Sequence, residues 1–274
     1  MKVTRFEGET VMSEHIKIER RGAVLSLTLA RPERRNAITV AMYAALADAI
    51  EAAASNSDIR LITLEGEGVD FTGGNDLADF LKEMPAPGSD ADIPVWRLLR
   101  ALAANEKPLI AAVHGNAVGI GTTLLFHCDL VVAEQGSRFV MPFVDLGLVP
   151  EAASSLIMPR LSGRRAAARH ILLGEPFGAE EALAMGIASH VVAKGEGHVA
   201  LARIVAALLA KPAEASRLTQ ALLRRADRAE MIERMTLENS HFAERLTSDE
   251  VRDAITAFFA ARAKPHSGGR ALAT

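Results

Sequence analysis

A chain of 274 residues, at about 150 residues per domain, corresponds to roughly two domains or to one large domain with an appendage, and is ample to bury a core. Lys plus Arg is 31 and Asp plus Glu is 34, a formal net charge of -3 with a pI near 6.3, which offers no positive field to hold a polyanion and argues against nucleic acid as a partner. The single cysteine, Cys128, excludes an internal disulfide framework and a thiolate-rich metal site, and aromatics at 4% predict an aliphatic core.

Met1 to Glu14 has no apolar stretch of the about 7–15 residues that a secretory signal needs, and no passage approaches the ~20 apolar residues that span a bilayer, so a cytoplasmic protein without a membrane segment is expected. Ile16 to Glu19 and Val24 to Leu29 are short β-favouring runs around Arg20, Arg21 and Gly22, the spacing of a hairpin. From about Val40 to Ala54, Met42, Leu46, Ala49 and Ile50 recur at helical spacing. Arg60 to Glu65 reads as a strand, Gly66 to Gly74 as a glycine-rich loop, and a helical stretch follows to about Glu83. Pro85, Pro87 and Gly88 make Met84 to Ile93 a surface loop, placed to serve as a lid or pocket rim.

The same order then repeats: strand Leu109 to Val113, glycine loop His114 to Gly121, short helix Thr122 to His127, strand Leu130 to Ala133. Repeated strand, loop and helix units predict an α/β sheet with crossovers, whose ligand sites lie where loops leave the carboxyl ends of strands. Beyond Pro150 the pattern turns helical, with helices expected over Arg164 to Leu173, Ala179 to Met185, Val199 to Leu209, Pro212 to Asp227 and Asp249 to Ala263. His190 to Val192 reads as one last short strand, and Ser267 to Thr274 as a frayed tail.

Metal chemistry lacks a ligand set, because no His-Glu-x-x-His helix is present and Cys128 beside His127 has no third ligand at a familiar spacing. A Gly-x-Ser-x-Gly elbow and a phosphate loop ending in Gly-Lys-Ser or Gly-Lys-Thr are also missing. What remains is a pair of glycine loops, Phe71-Thr-Gly-Gly-Asn75-Asp76-Leu77 and Gly115-Asn-Ala-Val-Gly119-Ile120-Gly121, each where a strand hands over to a helix. They read either as tight turns or as two sets of outward-facing N–H groups able to form an oxyanion hole. Glu151, after Pro150, reads either as a first-turn acid of a new helix or as a catalytic carboxylate.

Taken together, these segments resemble the crotonase (enoyl-CoA hydratase/isomerase) superfamily from about Ile16 to Lys264. Arg31-Pro-Glu-Arg-Arg-Asn36-Ala37 is similar to the family's Arg-Pro-x-x-x-Asn-Ala segment, Phe71 to Leu77 to its Phe-x-x-Gly-x-Asp loop, and Lys107 to Gly115 to its second approach strand. Leu173-Gly, Ala179 to Gly186 and Phe258-Phe259 with Arg262 and Lys264 resemble later landmarks. The resemblance implies a β/α spiral core over 14–200, a helical C-terminal oligomerisation region over 201–266, a homotrimer or hexamer, and an acyl-CoA thioester substrate, with no metal and no cofactor beyond the CoA of the substrate itself. By position, the backbone N–H groups of Asn75 and Ile120 would be the oxyanion donors. Arg34, Ala37, Asp76 and Leu77 would lie near CoA, and Gly73, Val118, Gly119 and Phe143 would contact the substrate. Arg34 suits a CoA phosphate as a guanidinium fork, or is simply a solvated charge. Asp76 also reads as a helix cap, and His114 and Met141 as structural.

The family's hydratases use two glutamates, and their positions here carry Thr123 and Phe143, neither of which is a general base near neutral pH. Glu151 instead resembles the catalytic glutamate of the peroxisomal-type isomerases that convert 3-enoyl-CoA to 2-enoyl-CoA. The expected chemistry is isomerisation with Glu151 as the single acid/base, its pKa raised by Phe143, Leu146, Leu148 and Val149. Activity should be lost in Glu151→Gln but not in Thr123→Ala. The alternatives are a hydratase or another crotonase-type enzyme that recruits Asp145 or a substrate-held water, and a non-catalytic acyl-CoA-binding protein.

Overall fold

The structure, a computed structural model, describes residues 10–79, 93–225 and 228–263. Alternation of buried and outward residues builds the first strands: Thr10–Ser13 (β1), Ile16–Arg21 (β2) and Val24–Leu29 (β3) pair antiparallel in series, with Gly22 at φ +58 in the expected hairpin turn. Strand β1 is additional to the sequence expectation. Helix α1, Val40–Ser55, starts where Thr39 Oγ1 accepts the Met42 N–H at 3.2 Å, and it buries Met42, Tyr43, Leu46 and Ile50. Strand β4, Leu61–Gly66, runs parallel to β3.

The stretch after the first glycine loop is helical over residues 77–79, and its continuation, with the Met84 to Ile93 loop up to residue 92, lies outside the described residues. Helix α2, Pro94–Ala104, was not expected from the sequence. Pro94 sits in its first turn, and Val95, Trp96, Leu98, Leu99 and Leu102 pack beneath it.

Next come β5 (Leu109–Val113), β6 (Asn116–Val118), α3 (Ile120–Thr123) running into a 3-10 turn at Leu124–His127, β7 (Leu130–Glu134) and β8 (Arg138–Val140). Helix α4 (Ser154–Ser162), α5 (Arg164–Leu172), β9 (Phe177–Gly178), α6 (Ala179–Ala184) and β10 (His190–Val192) follow. The chain ends in α7 (Gly197–Leu209), α8 (Ala213–Arg225), α9 (Arg228–Leu246) and α10 (Asp249–Ala263). Helices α4 and α9 are additions to the expected set, and Ser267 to Thr274 lies outside the described residues.

One seven-stranded sheet runs β1-β2-β3-β4-β5-β7-β10, parallel from β3 onward, and a three-stranded sheet β6-β8-β9 stands beside it. Neighbours along β5 go to opposite faces. Leu109, Ala111 and Val113 join the main core, whereas Ile110 and Ala112 join Leu201 of α7 in a smaller cluster on the other face. Helix α7 therefore runs through residues 200 and 201 and closes that face. The expectation of an aliphatic core holds by number but not by size, since Tyr43, Phe71, Phe139 and Phe242 are the largest fully buried side chains.

The helix-start reading of Pro150 and Glu151 is corrected. Ala152 and Ala153 both adopt left-handed backbone, at φ +60 and +55, and α4 begins only at Ser154. Glu151 thus stands on a turn ahead of the helix.

Candidate active site

The two glycine loops meet. A Cβ on Gly74 would lie 2.6 Å from the Val118 carbonyl oxygen, and its φ of +83 is left-handed, so both contact and conformation require glycine there. Ile38 donates its N–H to the Gly74 carbonyl at 2.8 Å and accepts the Asp76 N–H at 2.9 Å. That pairing uses the groups on either side of Asn75 and turns the Asn75 N–H away from Ile38.

In the second loop Gly119 donates to Val140 O at 2.8 Å, and its own carbonyl accepts Thr122 N at 2.9 Å and Thr123 N at 3.0 Å, which opens α3. The Ile120 N–H falls in the first turn, where no intrahelical acceptor exists. Among the described residues neither the Asn75 nor the Ile120 N–H has a protein acceptor.

Asn36 organises the first loop. Fully buried and at φ +52, it donates its side-chain amide to Asp70 O at 2.9 Å, Phe71 O at 3.2 Å and Glu67 O at 2.7 Å, and accepts the Arg31 N–H at 2.8 Å. Arg31 reaches the Ala37 carbonyl at 3.0 Å and the Asp76 carboxylate at 2.7 Å. Burial alone would raise the Asp76 pKa, but Arg31 and the local N–H groups outweigh it and hold the carboxyl below its usual value. Asp76 also accepts the Asp79 N–H at 3.4 Å, so its capping role is present together with an ion pair.

Glu151 is 3% exposed. Thr123 Oγ1 donates to its Oε1, while Oε2 has no hydrogen-bond partner among the described residues. Burial pushes the Glu151 pKa up to about 8, the Thr123 hydrogen bond opposes this, and the charge of Glu238 adds to it. Phe143 and Leu148, expected to desolvate Glu151, are buried in the main core, with Leu146 and Val149 packed against it. The Tyr43 hydroxyl donates to Asn75 Oδ1, and burial, with the charge of Glu151 adding, raises its pKa well above the usual value. Asn75, Tyr43, Glu151, Thr123 and Gly119 thus form one linked set, drawn from the first loop, α1, the turn before α4, and the α3 start.

Thr123, expected to be dispensable, instead touches the Glu151 carboxyl directly. Arg34 is exposed on the 3-10 turn Pro32–Arg34, Leu77 is half-buried, and the Gly73 N–H is bound by Arg35 O at 2.7 Å. Asp145 lies exposed on the 3-10 turn Val144–Leu146, against Gly174. His114 bonds the Gly68 carbonyl at 3.1 Å, and Met141 is fully buried, as expected of structural residues.

Sequence reasoning missed three residues. Tyr43 is the chain's sole tyrosine on a buried helix face, a signal that was available. His127 stands out in the sequence only as a possible metal ligand, and Glu238 lies on α9 with nothing in its local pattern to single it out. Among the described residues no group of three or more His, Cys, Asp or Glu could hold a metal ion, and no helix is long and apolar enough to cross a membrane. A separate cavity of about 240 Å³, bordered by Glu65, Glu134 and His198, contains none of the candidate residues.

Residues 19–269 match the family model described as enoyl-CoA hydratase/isomerase. A 1,2-epoxyphenylacetyl-CoA isomerase of Escherichia coli (strain K12) is 32% identical, covering 94% of this chain and 100% of its own. A 2,3-dehydroadipyl-CoA hydratase of the same organism is 38% identical over 66% of this chain and 69% of its own. A crystal structure of an enoyl-CoA hydratase/isomerase from Pseudoalteromonas atlantica T6c superposes with a TM-score of 0.85 at 35% identity, covering 93% of this chain and all of that one. Hydratase, isomerase and dehalogenase names all occur among the relatives. With a parallel sheet followed by C-terminal helices, and with both glycine loops inside the matched span, the chain has the crotonase fold and belongs to the enoyl-CoA hydratase/isomerase family.

Proposed function

We propose that this acyl-CoA enzyme isomerises 3-enoyl-CoA to trans-2-enoyl-CoA, with Glu151 as its single acid/base. The observation that carries the reading is the state of Glu151: a buried carboxyl whose pKa is raised to about 8, with one oxygen held by Thr123 and the other without a partner among the described residues. Such a group takes up and returns a proton near neutral pH. Ionised Glu151 removes a proton from C2 of the 3-enoyl thioester. The electron pair passes through C1 to the thioester oxygen, giving a dienolate, and the same carboxyl returns the proton at C4, which leaves the double bond between C2 and C3. The N–H groups of Asn75 and Ile120 receive the oxygen as its charge develops, so their binding is stronger in the transition state than in the ground state.

Hydration asks for a second carboxyl to activate water. The two positions where hydratases would carry their glutamates hold Thr123 and Phe143, and Asp145 lies exposed against Gly174. The relatives' names include both activities, so the choice rests on the site. Arg34, Ala37, Asp76 and Leu77 are assigned to CoA, and Gly73, Val118, Gly119 and Phe143 to the substrate. The C-terminal helices, where Leu222 and Leu223 of α8 are 69% and 72% exposed, are assigned to a trimer or hexamer interface. A monomer by light scattering would count against that last assignment.

The test incubates the protein separately with a trans-3-enoyl-CoA and a trans-2-enoyl-CoA of medium chain length and separates the products. Conversion of the first to the 2-enoyl isomer without hydration of the second supports the reading. Rapid formation of 3-hydroxyacyl-CoA from the second would replace it with a hydratase, and inertness toward both with a binding role or another thioester.

A further inference from the structure

We infer that His127 and Glu238 are positioning residues that clamp a single peptide group, the Ala152–Ala153 unit directly after Glu151, and thereby aim the Glu151 carboxyl at Thr123. His127 Nε2 donates to the Ala152 carbonyl at 2.9 Å, and Glu238 Oε2 accepts the Ala153 N–H at 2.7 Å. These two backbone groups belong to one planar unit, so a side chain grips it at each end and fixes its rotation. The clamp sits where it is needed. Both flanking alanines hold left-handed backbone, which L residues disfavour and which surrounding contacts must impose.

Each grip is itself anchored. His127 is buried, and burial pushes its pKa down to about 4, with the charge of Arg224 adding and the hydrogen bond to Ala152 opposing, so it stays a neutral donor in the working range. Its carbonyl accepts from Arg224 of α8. The 120–127 segment that carries His127 also supplies Ile120 and Thr123, so one stretch of chain places an oxyanion donor, the Glu151 partner and half of the clamp. Glu238, 5% exposed on α9, also accepts Ser155 N at 3.0 Å and the Ser155 hydroxyl, and Arg234 donates to that hydroxyl at 3.2 Å. It caps α4 from another helix, where the N-cap residue Ala153 has no side-chain acceptor of its own.

The second consequence is electrostatic. The groups acting on the Glu151 carboxyl are Thr123 through its hydrogen bond and Tyr43 of α1 and Glu238 of α9 through charge, with Arg234 acting on Glu238, whereas neutral His127 bonds the carbonyl of the next residue, Ala152. Arg224 of α8 stands behind His127. Burial is the largest influence on Glu238 and leaves its pKa raised above the usual carboxylate value, with Ser155, the Ala153 N–H and Arg234 opposing it in part. An ionised Glu238 disfavours the ionised form of Glu151. Glu238 therefore both holds the turn and keeps the Glu151 proton affinity high.

The inference rests on the acid/base reading of Glu151, and its test separates the two. The carboxyl stretch of Glu151 is titrated by infrared difference spectroscopy against Glu151→Gln, without substrate, in wild type and in Glu238→Gln, an isosteric change that removes the charge. Glu238→Gln is expected to move the midpoint below the wild-type value. Glu238→Ala and His127→Phe are expected to lose roughly 10²-fold in kcat with little change in KM, as misplacement of a reacting group does, and Glu238→Gln to restore part of that loss. A Glu238 whose charge does not reach Glu151 would leave the infrared midpoint where it was. An unmoved midpoint in folded Glu238→Gln, or folded Glu238→Ala and His127→Phe with wild-type kcat, would overturn the inference. If 3-enoyl-CoA is not turned over at all, the proposed reaction is at fault, and the clamp is then read from the Glu151 carboxyl stretch itself: a changed frequency in folded His127→Phe and Glu238→Ala, as the contact with Thr123 is lost, supports it, and an unchanged one overturns it.

Discussion

Thr123→Val removes the hydrogen bond that Thr123 donates to Glu151 Oε1 while keeping a β-branched side chain of similar shape in a buried site. The hydroxyl donates to the ionised carboxylate and pulls its pKa down against burial, so the valine variant must titrate higher than the wild-type value of about 8. A hydrogen bond to a charged group contributes about 1.5–3 kcal/mol, and about 1.4 kcal/mol is one pH unit, so the midpoint should rise by about one to two pH units. With a wild-type midpoint near 8, about one-tenth of the enzyme is in the ionised, proton-accepting form at pH 7. The variant should then be slower by about ten- to a hundredfold at pH 7 and recover as the pH rises. The assay is kcat for a 3-enoyl-CoA at saturating substrate from pH 6 to 10. A midpoint that stays in place or falls would refute the claim that Thr123 favours the charged carboxyl.

Glu151→Gln should change the pH dependence of stability. In the folded protein Glu151 keeps its proton up to about 8, whereas the unfolded chain releases it near 4.5, so native stability is fully present below 4.5, falls from there to about 8 and is flat above. Melting of Glu151→Gln should therefore lie above wild type at pH 9 and converge with it at acid pH. Gly74→Ala puts a Cβ 2.6 Å from Val118 O on a left-handed backbone and should displace the Asn75 N–H, for a loss of about 10²- to 10³-fold in kcat. Asn36→Ala orphans the Asp70 and Phe71 carbonyls and the Arg31 N–H, and denaturant melts should show it about 2–4 kcal/mol less stable.

Periodicity made the regular elements legible. Strand Leu109–Val113 and helix Asp249–Ala263 lie where apolar spacing puts them, because burial on one face imposes that spacing on any sequence that forms them. Helix α2 was hidden by Pro94 and by the proline-rich stretch before it, which read as loop punctuation. Pro150 and Glu151 misled locally for a related reason. They carry a proline and an acidic residue that suit a helix start, but Ala152 and Ala153 take left-handed backbone gripped by His127 and Glu238, 25 and 85 residues away from their partners, and the helix begins only at Ser154. The glycine loops were visible as loops, but their meeting at Gly74 and Val118 is a tertiary fact. Glu151 could be singled out by position and by resemblance, whereas its desolvation and its contact with Thr123 depend on packing that one-dimensional spacing does not carry.

The central claim is that one carboxyl moves the proton, and single-turnover isomerisation of a trans-3-enoyl-CoA by Glu151→Gln tests it most directly. Loss of a general acid/base typically costs about 10²- to 10⁴-fold, so the account predicts a rate reduced by at least about 10²-fold while the acyl-CoA Kd stays near that of wild type. Turnover within a few-fold of wild type would contradict it and move the proton to another group.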